Sequence, residues 1–210
     1  MSSFQPAVVR AALSDHTMQL YPALPGRHNR RLAAVLLALR FSQDGDVHCL
    51  LIQRASHLRD HPGEIGFPGG KPDKVDRSLA DTALREAHEE VGLTGAQPLG
   101  RLSSTPLFTS EYRLEPFVAA VPDAVALTPA PAEVSAMFWV SLRRLFNAPH
   151  TDAIPFAIDG HQWLSPVFCD VAPRPLYGGS AHILWELLQC LGSPPLLKAG
   201  RTSWSEITAS

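Results

Sequence analysis

The stretch Ser78-Leu79-Ala80-Asp81-Thr82-Ala83-Leu84-Arg85-Glu86-Ala87-His88-Glu89-Glu90-Val91-Gly92 decides how the rest of the chain is read. It predicts a helix with both ends marked. Ser78, followed three residues on by Asp81, resembles a capping box, and Gly92 can supply a left-handed stop. At about 100° per residue, Leu84, Ala87 and Val91 fall on one side. Glu86, Glu89 and Glu90 fall on the other, at the spacing that makes helix neighbours. Three carboxylates so placed repel one another, by roughly 0.2–0.5 kcal/mol per like pair on an exposed helix. Only Arg85 is near to offset this. By itself the stretch is either an acidic surface helix or a face built for a hard cation, since carboxylate oxygens suit Mg²⁺ or Mn²⁺.

Working outward, Phe67-Pro68 leads into Gly69-Gly70, where two glycines let the backbone turn tightly and approach a ligand closely. Lys71, Asp73 and Asp76 lie between that turn and the helix. A glycine turn, a loop acid and a clustered-Glu helix, in that order, are what a site for metal and diphosphate requires. A loop acid such as Asp76 can neutralise and orient Arg85 while the glutamates face the metal.

Gly70, Asp76 and Arg85-Glu86-Ala87-His88-Glu89-Glu90-Val91-Gly92-Leu93 together resemble the Nudix box, the signature of hydrolases acting on nucleoside diphosphates linked to another group. Asp76 stands where the general pattern has Glu, and one extra residue separates Gly70 from Arg85. Both features are similar to the coenzyme A pyrophosphatase branch of that family. The preceding segment, Leu50 through Gln53-Arg54-Ala55-Ser56-His57-Leu58-Arg59-Asp60-His61-Pro62-Gly63-Glu64-Ile65-Gly66-Phe67-Pro68-Gly69-Gly70, resembles the segment that distinguishes the branch. The branch usually has Ser after the Arg, where this chain has Ala55. Leu176-Tyr177-Gly178-Gly179-Ser180-Ala181 is similar to the branch's aromatic-glycine turn into a final helix. The likeness spans roughly residues 30 to 190.

The resemblance implies an α/β (α+β) fold, a Nudix-type mixed β-sheet sandwiched between helices. It also implies metal-dependent hydrolysis of coenzyme A or its acyl derivatives to 3′,5′-adenosine bisphosphate and (acyl-)4′-phosphopantetheine. Glu86, Glu89 and Glu90 are then the metal ligands, with Glu89 either a ligand or the group that orients or deprotonates the attacking water. Arg85 orders the box. Arg54, Arg59 and Lys71 are candidate phosphate contacts, because guanidinium and ammonium groups meet phosphate well. His61, Gly69 and Gly70 complete the candidate substrate contacts, and His57 reads as a loop anchor. Glu64 could reach the metal cluster. Glu111, Glu115 and Glu133 are candidates for a base supplied by a later loop. Trp139, Trp163 and Trp185 could stack on adenine, although core packing is the commoner role of a lone Trp in an apolar run.

Composition bounds the alternatives. A chain of 210 residues with 45% hydrophobic and 18% charged residues can bury one full core. A formal net charge of −2 gives no global field for nucleic acid or anionic membrane, so anions must be gathered locally. Cys49, Cys169 and Cys190 are far apart in sequence and read as small core hydrophobes in a reducing compartment, not zinc ligands. No basic segment followed by an apolar run opens the sequence, and Leu32 to Leu39 is too short to span a bilayer, so the cytoplasm is the expected location.

Residues 1–30 are expected to form a helical or irregular N-terminal arm, 31–192 the catalytic domain, and 193–210 a mobile C-terminal tail. Within the domain, Arg31 to Phe41 and Val47 to Ile52 flank an Asp-Gly turn and predict a hairpin. Strands are expected at Leu99–Leu102, Glu115–Val121 and Met137–Val140, with a short helix over Ser141–Phe146 and a final helix over Ser180–Leu191. A homodimer is left open. Two other functions compete: a Nudix hydrolase for another nucleoside diphosphate derivative such as ADP-ribose or NADH, and a non-catalytic binding module of the same fold. The intact carboxylates argue against the latter.

Overall fold

A computed structural model describes residues 4–158 and 160–200. In chain order the elements are α1 (Pro6–Asp15), β1 (Arg31–Phe41), β2 (Val47–Arg54), β3 (Ile65–Gly66), β4 (Gly69–Gly70), α2 (Leu79–Val91), β5 (Gln97–Arg101), β6 (Thr105–Pro106), β7 (Tyr112–Val121), β8 (Val134–Ser141), α3 (Leu142–Phe146), β9 (Thr151–Ile158), β10 (His161–Val167), α4 (Gly178–Leu191) and β11 (Leu197–Ala199). The mixed α/β architecture agrees with the sequence expectation.

Strand β1 organises the molecule. It pairs antiparallel with β2 through the expected hairpin, and parallel with β7 from Arg31↔Tyr112 to Arg40↔Val121. The main sheet runs β3-β2-β1-β7-β5, with β4 on β1, β6 on β7 and β8 on β2. The residues from Ala34 to Leu39 are all buried, the unbroken apolar run of a strand covered on both faces. Alternation divides them. Val35, Leu37 and Leu39 enter one core with Val9 and Leu13 of α1 and Ile183, Leu184, Leu187 and Leu188 of α4. Ala34, Leu36 and Ala38 enter a second core with Ala83, Ala87 and Val91 of α2. The sheet is thus sandwiched between helices.

Two polar anchors tie distant segments to this frame. Glu186 of α4, 5% exposed, accepts from the Ser103 N–H, from the Ser103 hydroxyl and from His16 Nε2 at 2.7 Å, binding the end of α1 to the final helix. Asn29, also buried and at φ +45°, reaches the carbonyls of Leu107, Ser110 and Tyr112 at 3.0, 3.1 and 3.0 Å. Its own carbonyl oxygen Oδ1 accepts from the Leu24 N–H.

Some elements differ from the sequence expectation. The region expected to be an arm contains α1, whose Val9 and Leu13 are buried in the main core. A second sheet, β10-β9-β11, was not anticipated at all. The segment expected as a mobile tail from residue 193 contributes β11, paired parallel with β9; its residues 201–210 lie outside the described residues. Cys49 is buried, but Cys169, just after the buried Val167 and Phe168, is exposed, and Cys190 near the end of α4 is only partly buried. No helix among the described residues is long and apolar enough to cross a membrane.

Candidate active site

The site is assembled where α2 meets β4. Ser78 caps α2 by accepting from the Asp81 N–H at 3.2 Å, and Gly92 ends it at φ +67°. The buried stripe is Thr82, Ala83, Ala87, Glu90 and Val91. Leu84 is only partly buried, and Glu90 belongs to the inner face, 2% exposed, where the sequence placed it with Glu86 and Glu89 on an open acidic side. The reason is β4. Its backbone lies over the carboxyl end of α2, and the Gly69 N–H donates to Glu90 Oε2 at 2.8 Å. A β-carbon on Gly70 would run into the Glu86 carboxylate, and one on Gly69 into the backbone of β1. Only paired glycines allow this approach.

Arg85 is the ordering residue. Its Nε and Nη2 meet the two oxygens of Asp76 at 3.0 Å each, Nη2 also reaches the Lys71 carbonyl at 3.0 Å, and Nη1 meets Glu86 and Glu89 at 2.9 Å each. The forked guanidinium thus joins the loop acid, the turn backbone and two helix carboxylates. Asp76 is fixed further by the Thr82 hydroxyl at 2.9 Å, and these bonds hold its carboxyl well below the usual carboxylate range.

Electrostatics separates the three glutamates. Burial pushes Glu90 up to about 7, opposed by the Gly69 N–H and by Arg54, and reinforced by the charges of Glu86 and Glu133. Burial also raises Glu86, against the stabilising Arg85 and with Glu89 and Glu133 adding to the rise. Glu89 is more than half exposed and held by Arg85. Arg54 Nη1 stands 3.8 Å from Glu90 Oε1, and Arg54 Nε is buried without a partner among the described residues.

Among the described residues, no three His, Cys, Asp or Glu side chains are gathered tightly enough to enclose an ion. Arg85 Nη1 joins Glu86 to the more exposed Glu89, while the Gly69 N–H holds the buried Glu90. The donor chemistry nonetheless fits a hard divalent cation. The charge of Glu133 raises the proton affinity of both Glu86 and Glu90, and that of Glu86 adds to the rise at Glu90, the mark of carboxylates sharing a space with too little positive charge.

Other expected residues divide clearly. Arg54, Lys71, Gly69 and Gly70 are at the site, Lys71 with its ammonium 5.3 Å over the Tyr112 ring. Arg59 is exposed on the loop. His61, at φ +55°, bonds Glu64 at 2.9 Å, so Glu64 is engaged there and not with the glutamates. His57 anchors the loop on the Ala132 carbonyl at 3.1 Å. Glu111 clamps the His28 and Asn29 N–H groups, and Glu115 takes the Ser104 hydroxyl; of the later carboxylates, only Glu133 is coupled to the cluster. The sequence offered no sign that Thr82 would secure Asp76. Trp139 carries Arg40 over its ring at 4.3 Å, Trp185 packs on the core, and Trp163 is 55% exposed, not buried.

A separate cavity of about 230 Å³, between α3, β9 and residues 167–171, includes His150, Asp152 and Cys169 and shares no residue with this site. Burial and Asp152, which accepts from the thiol at 3.6 Å, push Cys169 up to about 11, so it is not poised as a nucleophile.

The NUDIX domain family matches residues 30–163, from the start of β1 into β10 and including all of α2. The chain belongs to the Nudix hydrolase family. Members of the family are pyrophosphohydrolases of small molecules and generally use divalent cations such as Mg²⁺ or Mn²⁺. The chain is similar to the uncharacterized Nudix hydrolase NudL of Enterobacter sp. (strain 638), with 34% identity over 176 residues, covering 80% of this chain and 86% of that protein. Against NudL of Yersinia enterocolitica serotype O:8 it is 39% identical over 129 residues, 59% of this chain and 64% of that protein. A MutT/nudix family protein from Enterococcus faecalis superposes with a TM-score of 0.51 at 16% identity, covering 85% of this chain and 71% of that one, a likeness of fold.

Proposed function

We propose that this Nudix hydrolase cleaves the diphosphate of coenzyme A or its acyl derivatives, giving 3′,5′-adenosine bisphosphate and (acyl-)4′-phosphopantetheine, in the reducing cytoplasm. One observation carries the reading. The two ends of the Arg54–Gly70 segment, the part that resembles the coenzyme A branch, both touch Glu90: Arg54 at 3.8 Å and the Gly69 N–H at 2.8 Å. The segment that would choose the substrate is built into the group that would hold the metal.

Glu86 and Glu90, with Glu89, would hold Mg²⁺ or Mn²⁺. When bound, the cation neutralises diphosphate oxygens and lowers the pKa of water. The chain's own residues do the rest. Arg85 keeps Glu86 and Glu89 in register with the turn, and Asp76 keeps Arg85 in place. Arg54 has an N–H donor without a partner among the described residues, 3.8 Å separating its Nη1 from Glu90, and Lys71, whose carbonyl accepts from Arg85, carries an ammonium on the same turn; both groups suit phosphate oxygens. Glu133, whose charge reaches Glu86 and Glu90, is the later-loop carboxylate placed to accept a proton from attacking water.

The test is a substrate panel with Mg²⁺ or Mn²⁺: coenzyme A, acyl-coenzyme A, ADP-ribose and NADH, with products identified by mass. Preferred cleavage of coenzyme A species to the two named products is expected. Equal or better turnover of ADP-ribose or NADH would overturn the substrate assignment while leaving the Nudix chemistry intact.

A further inference from the structure

An aromatic surface lies beyond the glutamates, on elements the Nudix box does not include. Its centre is Phe156 of β9. Phe108 meets that ring edge to face at 5.7 Å and 87°, and His182 of α4 does so at 6.5 Å and 88°. Trp163 of β10 is directly opposite Phe156 in register, so their side chains leave the same face of the hairpin as cross-strand neighbours. Phe108 is 49% exposed and Trp163 55%. Burial pulls His182 down to about 4, so its ring is neutral at neutral pH, while Arg27, bonded to the Phe108 carbonyl at 3.0 Å, is paired with Glu111.

Contacts connect this surface to the diphosphate site. Arg85 bonds the Lys71 carbonyl, and the Lys71 ammonium sits over Tyr112. The Leu107 N–H donates to the Tyr112 carbonyl at 3.1 Å, and Phe108 is the next residue. The 107–112 turn is fixed from behind by Asn29 and packs through Leu107 on Gly179 at the start of α4. Phe108 is therefore presented by a turn that shares Tyr112 with Lys71, the residue whose carbonyl Arg85 holds. Exposed aromatic rings held in place, and joined by these contacts to the residues that order the glutamates, match a flat heteroaromatic ring better than a flexible alkyl chain, because stacking needs an exposed ring.

We propose that Phe108, Phe156 and Trp163 form a stacking platform for the nucleobase of the substrate's nucleoside half. This rests on the reading of the site as one for nucleoside diphosphate derivatives, not on coenzyme A being the preferred one. Loss of one stacked ring is expected to weaken base binding about tenfold.

The experiment titrates the full-length protein, calorimetrically, with 3′,5′-adenosine bisphosphate and with ribose 5-phosphate, which carries phosphate without a base. Trp163→Ala and Phe108→Ala, on separate elements, should each weaken adenosine bisphosphate binding about tenfold, and Trp163→Phe should restore it. Ribose 5-phosphate binding should be the same in all four proteins. The platform is overturned by equal weakening of both ligands, by no weakening, by absence of adenosine bisphosphate binding in the parent protein, or by a Trp163→Ala change that acts only by dissociating a dimer in sedimentation. A substrate panel favouring ADP-ribose over coenzyme A would remove the coenzyme A assignment and leave this result standing.

Discussion

The two faces of β1 solve different problems with the same strand. On one, Val35, Leu37 and Leu39 meet the leucines of α4 and the apolar side of α1. On the other, Ala34 and Ala38 meet Ala83 and Ala87 of α2. Large side chains fill the first face with bulk apolar volume. On the second, the alanines on either side of Leu36 let α2 lie close to the sheet, close enough for β4 to hydrogen-bond Glu90 and for Gly70 to abut Glu86. One face supplies stability and the other gives up some of it, by burying a carboxylate, to fix the chemistry.

The largest expected effect is on the chemical face. Glu90→Gln should lower turnover by about 10²-fold or more, the order lost with one group aimed at reacting charge, while thermal melting shows a fold at least as stable as the parent. Undiminished turnover would remove Glu90 from the site. On the opposite face, Leu187→Ala should cost about 2–5 kcal/mol in urea unfolding through the cavity it leaves, with turnover per folded molecule unchanged. If turnover falls with it, the two faces are coupled and the contrast fails.

The third effect is pH-dependent and belongs to Glu90. Its folded value is raised from 4.5 to about 7, so the folded state holds this proton more tightly than the unfolded chain does. The contribution is fully present below pH 4.5 and is lost as pH rises through 7, at most about 3 kcal/mol. Urea midpoints of chelator-treated protein should therefore drop between pH 5 and 8 by more in the parent than in Glu90→Gln, and Mg²⁺ should recover part of the loss at pH 8. A parent and variant with parallel pH profiles would refute the buried carboxylate. The smallest effect is expected at Ser78→Ala, about 1 kcal/mol from the lost N-cap, read as a few degrees in melting temperature.

Legibility followed locality. Helix α2 could be placed to the residue because Ser78, the apolar period and Gly92 all act within a few turns. The hairpin β1–β2 was clear for the same reason. The β9–β10 hairpin was missed: Pro155 and Pro166 interrupt its strands, and Trp163 and Leu164 are exposed where an apolar pair suggests a core. Helix α1 is short and carries only Val9 and Leu13 inward, too little for its period to declare a docked helix.

What the sequence determined alone is the set of parts: a capped helix with three glutamates, an arginine to order them, a loop acid and a glycine pair. Backbone propensity and helical period are properties of neighbouring residues, so they can be read along the chain. The three-dimensional fold decided which glutamate is buried, that the charge of Glu133 reaches Glu86 and Glu90 while Glu111 and Glu115 are bonded elsewhere, and that Phe108, Phe156 and Trp163 lie together on one surface. Those outcomes depend on which distant backbone covers which side chain, and burial, unlike period, is set by what packs on from elsewhere.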